Sequence, residues 1–133
     1  IRSASGSSDV TPAGAPIEVL DHGDCFILPG VVATPLHFPP LNSIDAYGGG
    51  QLLEWLSDSI FPAEARLADA AFAAGAARVR CERLIAVGTT TSLVFGSAFP
   101  VAQEALFREY HKRRLRAVIG RGIQTAGPDA AAP

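Results

Sequence analysis

Apolar residues in this chain form short consecutive runs, and between these runs they recur at helical spacing. The run from Gly30 to Leu36 is almost continuously apolar, as is typical of a strand buried on both faces of a parallel sheet. The segment TTTSLVFG, which begins at Thr89, is β-branched and apolar and predicts a second buried strand. RAVIGRGI, which begins at Arg116, predicts a third strand.

Helices are predicted between these strands. The segment LLEWL places leucines at helical spacing beside Trp55. Pro62 is suited to the first turn of a new helix, which alanine-rich sequence continues to about Ala86. Gly88 is placed to end that helix. Pro100 opens a second amphipathic helix, whose C-terminal end is basic, as the helix dipole favours.

The order of the predicted elements is strand, long loop and helix, strand, helix, strand. This order indicates the start of a parallel α/β sheet or barrel. A complete (β/α)₈ barrel needs about 250 residues, so a chain of 133 residues predicts an incomplete one. We expect a flexible segment at 1–16, a short β segment at 17–30, a partial barrel at 31–124 and a disordered tail at 125–133.

Bulk composition narrows the function classes. Hydrophobic residues make up 48% of the chain and charged residues 18%, which favours a folded core. A net charge of -2 and a pI near 5.9 provide no basic surface for nucleic acid. No apolar run approaches the roughly 20 residues that span a membrane, and the first residues lack the apolar core of a signal peptide. We therefore expect a soluble, cytoplasmic protein.

Two features leave alternatives open. Cys25 and Cys81 lie far apart; two free, buried thiols fit a cytoplasmic protein, although a single disulfide between them is compatible with the sequence. The chain contains no methionine and begins at Ile1. We therefore expect it to be processed, truncated or part of something longer.

Three motifs follow one another between Ile27 and Ile123. They are LLEWL, then FPAE, whose Glu64 stands in the first turn of a predicted helix, then GTTTSLVFGS. Each motif alone is weak, but in this order and register they resemble the N-terminal part of guanine deaminases, which belong to the amidohydrolase superfamily. The resemblance implies that the chain contains the first β/α units of a metal-dependent-hydrolase barrel of the TIM type, preceded by a short β segment.

The resemblance also implies a chemistry. Guanine deaminases use zinc to activate the water that converts guanine to xanthine and ammonia. Their first strand ends in Asp-Thr-His-x-His, whose two imidazoles share one face of the strand and can bind one metal ion together. Here His37 keeps the second histidine and is the predicted zinc ligand, whereas Pro35 and Ala33 replace the first histidine and the acidic residue. A family glutamine corresponds to Pro40, and a later family histidine corresponds to Phe99.

Two residues are predicted to contact metal or substrate, and each has an alternative interpretation. His37 is the predicted metal ligand, but a strand-end histidine is commonly hydrogen-bonded to backbone instead. Trp55 is a predicted substrate contact, because the family's first long loop closes over the purine; packing within the loop or the core is the alternative. The basic residues between Arg108 and Arg116 are interpreted as a solvated helix end.

Two functions are therefore compared. In the first, the chain is the N-terminal part of a guanine deaminase-like zinc amidohydrolase, with guanine as the substrate when the barrel is completed. We assign no catalytic residue and expect no activity from the chain alone, because the remaining metal ligands of the family belong to later strands. In the second, it is a non-catalytic remnant that acts as an interaction module and forms homo-oligomers through exposed strand edges. The His-x-Glu and Pro-Cys-x-x-Cys motifs of the cytidine-deaminase fold do not occur, which excludes that class.

Overall fold

The computed structural model describes residues 20–39 and 50–123. Three strands alternate with helices along the chain, in the order that the sequence predicts. The elements are β1 (Val31–His37), α1 (Leu52–Trp55), a π-helical turn (Leu56–Ile60), α2 (Phe61–Ala65), a 3₁₀ turn (Arg66–Ala68), α3 (Ala70–Ala86), β2 (Thr89–Phe95), α4 (Pro100–Lys112) and β3 (Arg116–Gly120).

The strands form one parallel sheet in the order β1-β2-β3. Strand β2 pairs with β3 in continuous register, with Leu93 opposite Val118. Strand β1 pairs with β2 in register that shifts between Ala33 and Leu36. Pro35 lies within that shift, and proline has no N–H for the ladder, so it belongs at an edge or an irregularity. The mixed α/β architecture with a parallel sheet is confirmed.

The prediction that the run from Gly30 to Leu36 is buried on both faces is wrong. Val31 is 51% exposed and Val32 is 63% exposed. Strand β1 is one of the two edge strands of the sheet, and among the described elements α3 and α4 form the core against one sheet face. Among the described residues, this nearly continuous apolar run therefore lacks the second layer that normally covers such a strand.

The predicted short β segment at 17–30 does not form in its described part. Residues 20–30 contain a turn at Gly23 and Asp24 but no strand. The Asp21 carboxylate accepts a hydrogen bond from the Gly23 N–H at 2.8 Å and holds this turn. Phe26 and Ile27 are 93% and 79% exposed, so they pack against no strand partner in the described ranges. The segment has the composition of a strand, but it pairs with no strand in the part of the chain that the structure describes.

The helical region after residue 50 begins ten residues before Pro62. Helix α1, a π turn and α2 follow one another directly, with Pro62 in the first turn of α2 as predicted. The long alanine-rich helix starts instead at Asp69, whose extended backbone interrupts the helical path. Its carboxylate accepts a hydrogen bond from the Phe72 N–H at 2.7 Å, so Asp69 is the N-cap of α3. Gly88 ends the same helix with a φ of +74°, which favours glycine over any other residue.

The core lies between one face of the sheet and the pair formed by α3 and α4. Val94 from β2 and Leu106 from α4 are fully buried there. Cys81 is also fully buried, whereas Cys25 is exposed, and both are free thiols. Burial raises the pKa of the Cys81 thiol to about 11, against the opposing attraction of Arg113. The expectation of free thiols is confirmed, but only one of them is buried.

The basic end of α4 is tied to its neighbours by ion pairs. Arg113 donates to Glu109 on α4 and to Glu82 on α3, each at 3.0 Å. Desolvation opposes ionisation of the Glu82 carboxyl, but hydrogen bonds from Arg113 and Arg78 outweigh it and lower its pKa. These pairs link the C-terminal ends of α3 and α4. Within the described ranges, no helix is both long and apolar enough to cross a membrane.

Candidate functional site

A pocket of about 340 Å³ opens at the carboxyl edge of the sheet. Because all three strands are parallel, the segments that follow them meet at this one edge. Residues of the π-helical turn and of α2 form one side of the pocket. The lining residues are His37 and Pro39 after β1, Phe95, Gly96 and Ala98 after β2, Gly122 and Ile123 after β3, and Leu56, Ile60, Phe61 and Glu64 from the helical region.

His37 stands at the end of β1 and lines this pocket, as the sequence predicts for a strand-end residue. Its ring lies beside that of Phe95, with centroids 5.0 Å apart and planes tilted by 40°. Its backbone carbonyl accepts a hydrogen bond from the guanidinium of Arg80 at 2.9 Å. The backbone at His37 is thus held by a buried side chain of α3, while the imidazole itself is exposed. Its role as a metal ligand stays a prediction.

The chain does not supply a complete metal site within the ranges that the structure describes. No group of three or more His, Cys, Asp or Glu side chains could hold an ion there. Pro35, two residues before His37, is exposed and offers no ligand atom. Tight zinc binding needs three or four protein ligands. His37 alone therefore does not fit a zinc site, and any such site needs donors from elsewhere.

Trp55 lies beside the pocket and is not among its lining residues. It is half-buried at the end of α1, and the next residue, Leu56, contributes to the wall. Its indole Nε1 is buried and has no hydrogen-bond partner among the described residues. The prediction that Trp55 contacts substrate is not tested by this placement and stays a prediction.

Glu64 is a pocket residue that the sequence indicated only as a helix-terminal carboxylate. Its Oε1 accepts hydrogen bonds from the Ser97 Oγ at 3.0 Å and from the Ala98 N–H at 3.2 Å. The FPAE motif pointed to the residue, but its contact lies 33 residues further along the chain. Local pattern gives no information on a partner at that separation.

Phe99, which occupies the position of a family histidine, is part of the core and not of the pocket lining. It is 8% exposed and is the N-cap residue of α4. Its N–H donates to the Ser97 Oγ at 3.3 Å. Pro40, which corresponds to the family glutamine, lies outside the described residues. The replacement at Phe99 is therefore accommodated by apolar packing.

Comparison of sequences finds several deaminases similar to this chain. A probable guanine deaminase from Deinococcus radiodurans is 41% identical over 116 residues, which is 87% of this chain and 26% of the relative. The guanine deaminase of Escherichia coli is 38% identical over 79% of this chain and 24% of the relative. A 5-methylthioadenosine/S-adenosylhomocysteine deaminase from Halobacterium salinarum is 34% identical over 91% of this chain and 26% of the relative. No family model matches the chain.

Comparison of structures gives the same result. The crystal structure of guanine deaminase from Bradyrhizobium japonicum superposes with a TM-score of 0.73 at 37% identity. The match covers 79% of this chain and 23% of that structure. By sequence and by fold, the chain belongs to the amidohydrolase-type deaminase family. Its homologues include guanine deaminases, and it spans about a quarter of the length of the relatives it matches.

Proposed function

We propose that this chain is part of a guanine deaminase-like amidohydrolase barrel and has no deaminase activity by itself. Its role in the complete barrel is to form one wall of a pocket for a planar purine base. The observation on which this proposal rests is the pocket at the carboxyl edge of the sheet. Barrel enzymes place their reacting groups at that edge.

The pocket has the chemistry that a purine wall requires. Leu56, Ile60 and Phe61 provide apolar surface for a flat ring, and His37 with Glu64 provides polar atoms at its margin. Small-molecule sites commonly combine mainly apolar walls with a few polar groups that orient the ligand. The described residues supply three strands of a sheet, and in the proposed barrel additional β/α units would complete the pocket.

The described residues do not fit the family's zinc, because His37 and Glu64 are the only two candidate donors among the described pocket residues and Glu64 already accepts hydrogen bonds from Ser97 and Ala98. We therefore assign no step of the deamination to residues of this chain. In a completed barrel, His37 would be one ligand among several. Guanine is the proposed substrate because relatives at 38% and 41% identity are named as guanine deaminases. Another relative is named as a 5-methylthioadenosine/S-adenosylhomocysteine deaminase. An adenine-type purine is therefore the substrate with which guanine should be compared.

A complementation assay tests this proposal. The chain is mixed with the part of the Escherichia coli guanine deaminase that lies outside the matched region, with zinc, and xanthine formation is followed by ultraviolet absorbance. We expect no turnover from the chain alone and none from the unaltered mixture. With Pro35→His and Pro40→Gln together, we expect the mixture to deaminate guanine in preference to 5-methylthioadenosine.

Pro29→His is the matched control, because Pro29 is exposed, precedes β1 and lies away from the pocket lining. It adds an imidazole without placing it at the end of the strand, so it should not produce activity. Turnover of guanine by the unaltered chain alone would contradict the proposal. Failure of the doubly substituted mixture, despite association of its two parts, would also contradict it.

A second candidate function is that of a non-catalytic interaction module, which does not require any further β/α unit. The observation that favours it is the uncovered sheet face, where Val32 and Val118 are 63% and 67% exposed. Apolar surface of this kind is typical of association sites. Light scattering of the isolated chain distinguishes the two: a defined oligomer that Val118→Lys dissociates favours the interaction module, and a monomer argues against it.

A further inference from the structure

The loop between β2 and α4 is held by charged side chains from two other parts of the fold. This loop, Gly96–Phe99, lines the pocket through Gly96 and Ala98. The Ala98 N–H donates to the Glu64 carboxylate at 3.2 Å. The Ala98 carbonyl accepts from the Nε of Arg121 at 2.9 Å. Both polar groups of one residue's backbone are therefore bound by ions, one from α2 and one from the segment after β3.

Further contacts fix the same loop. The Ser97 Oγ donates to Glu64 at 3.0 Å, and Ser97 is fully buried. The Gly96 N–H donates to the carbonyl of Gly120 at 2.7 Å, which extends the pairing of β2 with β3 by one residue. A side chain at Gly96 would collide with Gln103 and with the Gly120 carbonyl, so only glycine fits there. These contacts restrain the loop at Gly96, Ser97 and Ala98.

We infer that Glu64 and Arg121 are positioning residues, which act through the Ala98 backbone to fix the part of the pocket wall that Gly96 and Ala98 form. Hydrogen bonds to charged groups are stronger than neutral ones and are directional, so a pair of them on one residue restrains both its place and its orientation. Neither side chain needs to touch a ligand for this effect. That the wall serves a purine rests on the proposed function above.

Amide hydrogen exchange measured by NMR on the whole chain tests the positioning role. In Glu64→Ala we expect exchange of the Ala98 amide to rise about tenfold or more, the change that loss of a charge-assisted hydrogen bond produces. Exchange of the Val94 and Leu106 amides, which report the core, should stay unchanged. Glu64→Gln keeps an acceptor oxygen in place and should restore most of the protection at Ala98.

Two further variants keep the result interpretable. We call the hydrogen bonds of Glu64 and Arg121 to the Ala98 backbone the Ala98 clamp. Arg121→Ala removes the other half of this clamp, so it should also raise exchange near Ala98 even if Glu64→Ala does not fold. Glu104→Gln is the control, because Glu104 is an exposed carboxylate on α4 that pairs only with Arg108 among the described residues. An unchanged Ala98 amide in a folded Glu64→Ala or Arg121→Ala protein would overturn the inference.

A guanine titration of the same samples links the clamp to binding. The Gly96 amide and His37 ring resonances report occupancy, and we expect Kd to rise about tenfold in Glu64→Ala but by less than about threefold in Glu64→Gln. A change in Ala98 exchange with an unchanged guanine Kd would overturn the link to binding. Absence of guanine binding to the unaltered chain would overturn the link to binding by this wall alone, while exchange at Ala98 would still decide whether Glu64 and Arg121 position the loop.

Discussion

The two faces of the sheet differ sharply although the same three strands form both. On the helix-covered face, Val94 is fully buried beside α3 and α4. On the opposite face, Val118 and Phe95 are 67% and 48% exposed. Both faces are apolar, so side-chain type does not explain the difference. It arises because α3 and α4 cover one face, which teaches that the strands are suited to a second layer that the described residues do not provide.

The largest effect on the free energy of unfolding is expected from a matched pair of alanine substitutions, one on each face of the sheet. Leu106→Ala should lower the free energy of unfolding by about 2–5 kcal/mol, because it opens a cavity in the covered face. Val118→Ala should change it by less than about 0.5 kcal/mol, since that side chain is already largely in water. Urea denaturation followed by circular dichroism measures both. Equal effects of the two substitutions would mean that the open face is covered in solution.

A smaller effect is expected at the helix that covers the sheet. Asp69→Ala removes the N-cap of α3 and should cost about 1 kcal/mol of unfolding free energy, since an orphan N–H loses its acceptor. Asp58→Ala provides the control, because Asp58 is exposed in the π-helical turn and caps no helix. The same denaturation experiment applies. A loss at Asp58 as large as that at Asp69 would argue against the capping role.

The pH dependence of stability should reveal the buried thiol on the covered face. The pKa of Cys81 is about 11 in the folded chain, above its ordinary value of 9.0. The raised pKa means that stability is fully present below pH 9 and falls as the pH rises from 9 through 11. The expected loss by pH 10 is on the order of 1 kcal/mol.

Cys81→Ala should remove this part of the alkaline slope, and Cys25→Ala should leave it intact, because Cys25 is exposed. Thermal unfolding at pH 8, 9 and 10 compares the three proteins. An identical slope in Cys81→Ala and the unaltered chain would show that the thiol does not titrate in this range.

The smallest effect is expected on the outer surface of α4. Glu104 and Arg108 pair at 3.0 Å with side chains 73% and 72% exposed. Exposed pairs of this kind contribute about 0.5 kcal/mol or less. Glu104→Gln should therefore leave the free energy of unfolding almost unchanged, as measured by urea denaturation. A loss above about 1 kcal/mol would mean that α4 is stabilised by surface charge as well as by its buried face.

Local sequence patterns predicted most of the elements correctly. Strand β2 begins at Thr89 and helix α4 at Pro100, as β-branched composition and an N-terminal proline indicated. Gly88 occupies a positive φ at the end of a helix, as expected. The N-cap Asp69 was missed, because the alanine-rich sequence on either side conceals the interruption. Composition alone also predicted strands within residues 21–30, where the described chain has none.

The candidate site was predicted only in part, because local patterns locate the ends of strands but not the contacts between distant residues. His37 was placed at the end of a strand because its apolar run ends there, and a parallel sheet brings such ends together. The clamp on Ala98 was not predicted, because Glu64 and Arg121 are separated from it by 34 and 23 residues. Which carboxylate meets which backbone amide depends on how α2 docks beside the sheet.

The sequence by itself determined the succession of elements, the parallel sheet and membership of the deaminase family. These follow from periodicity, helix-terminal residues and ordered motifs, which act over a few residues at a time. Only the tertiary structure decided which apolar residues are buried and that Phe99 lies in the core. It also decided that Glu64 and Arg121 hydrogen-bond to the N–H and the carbonyl of Ala98. Burial and hydrogen bonding between distant residues depend on the packing of whole elements. Among the described residues, the strands have two apolar faces but only one is covered, because α3 and α4 pack on that side of the sheet.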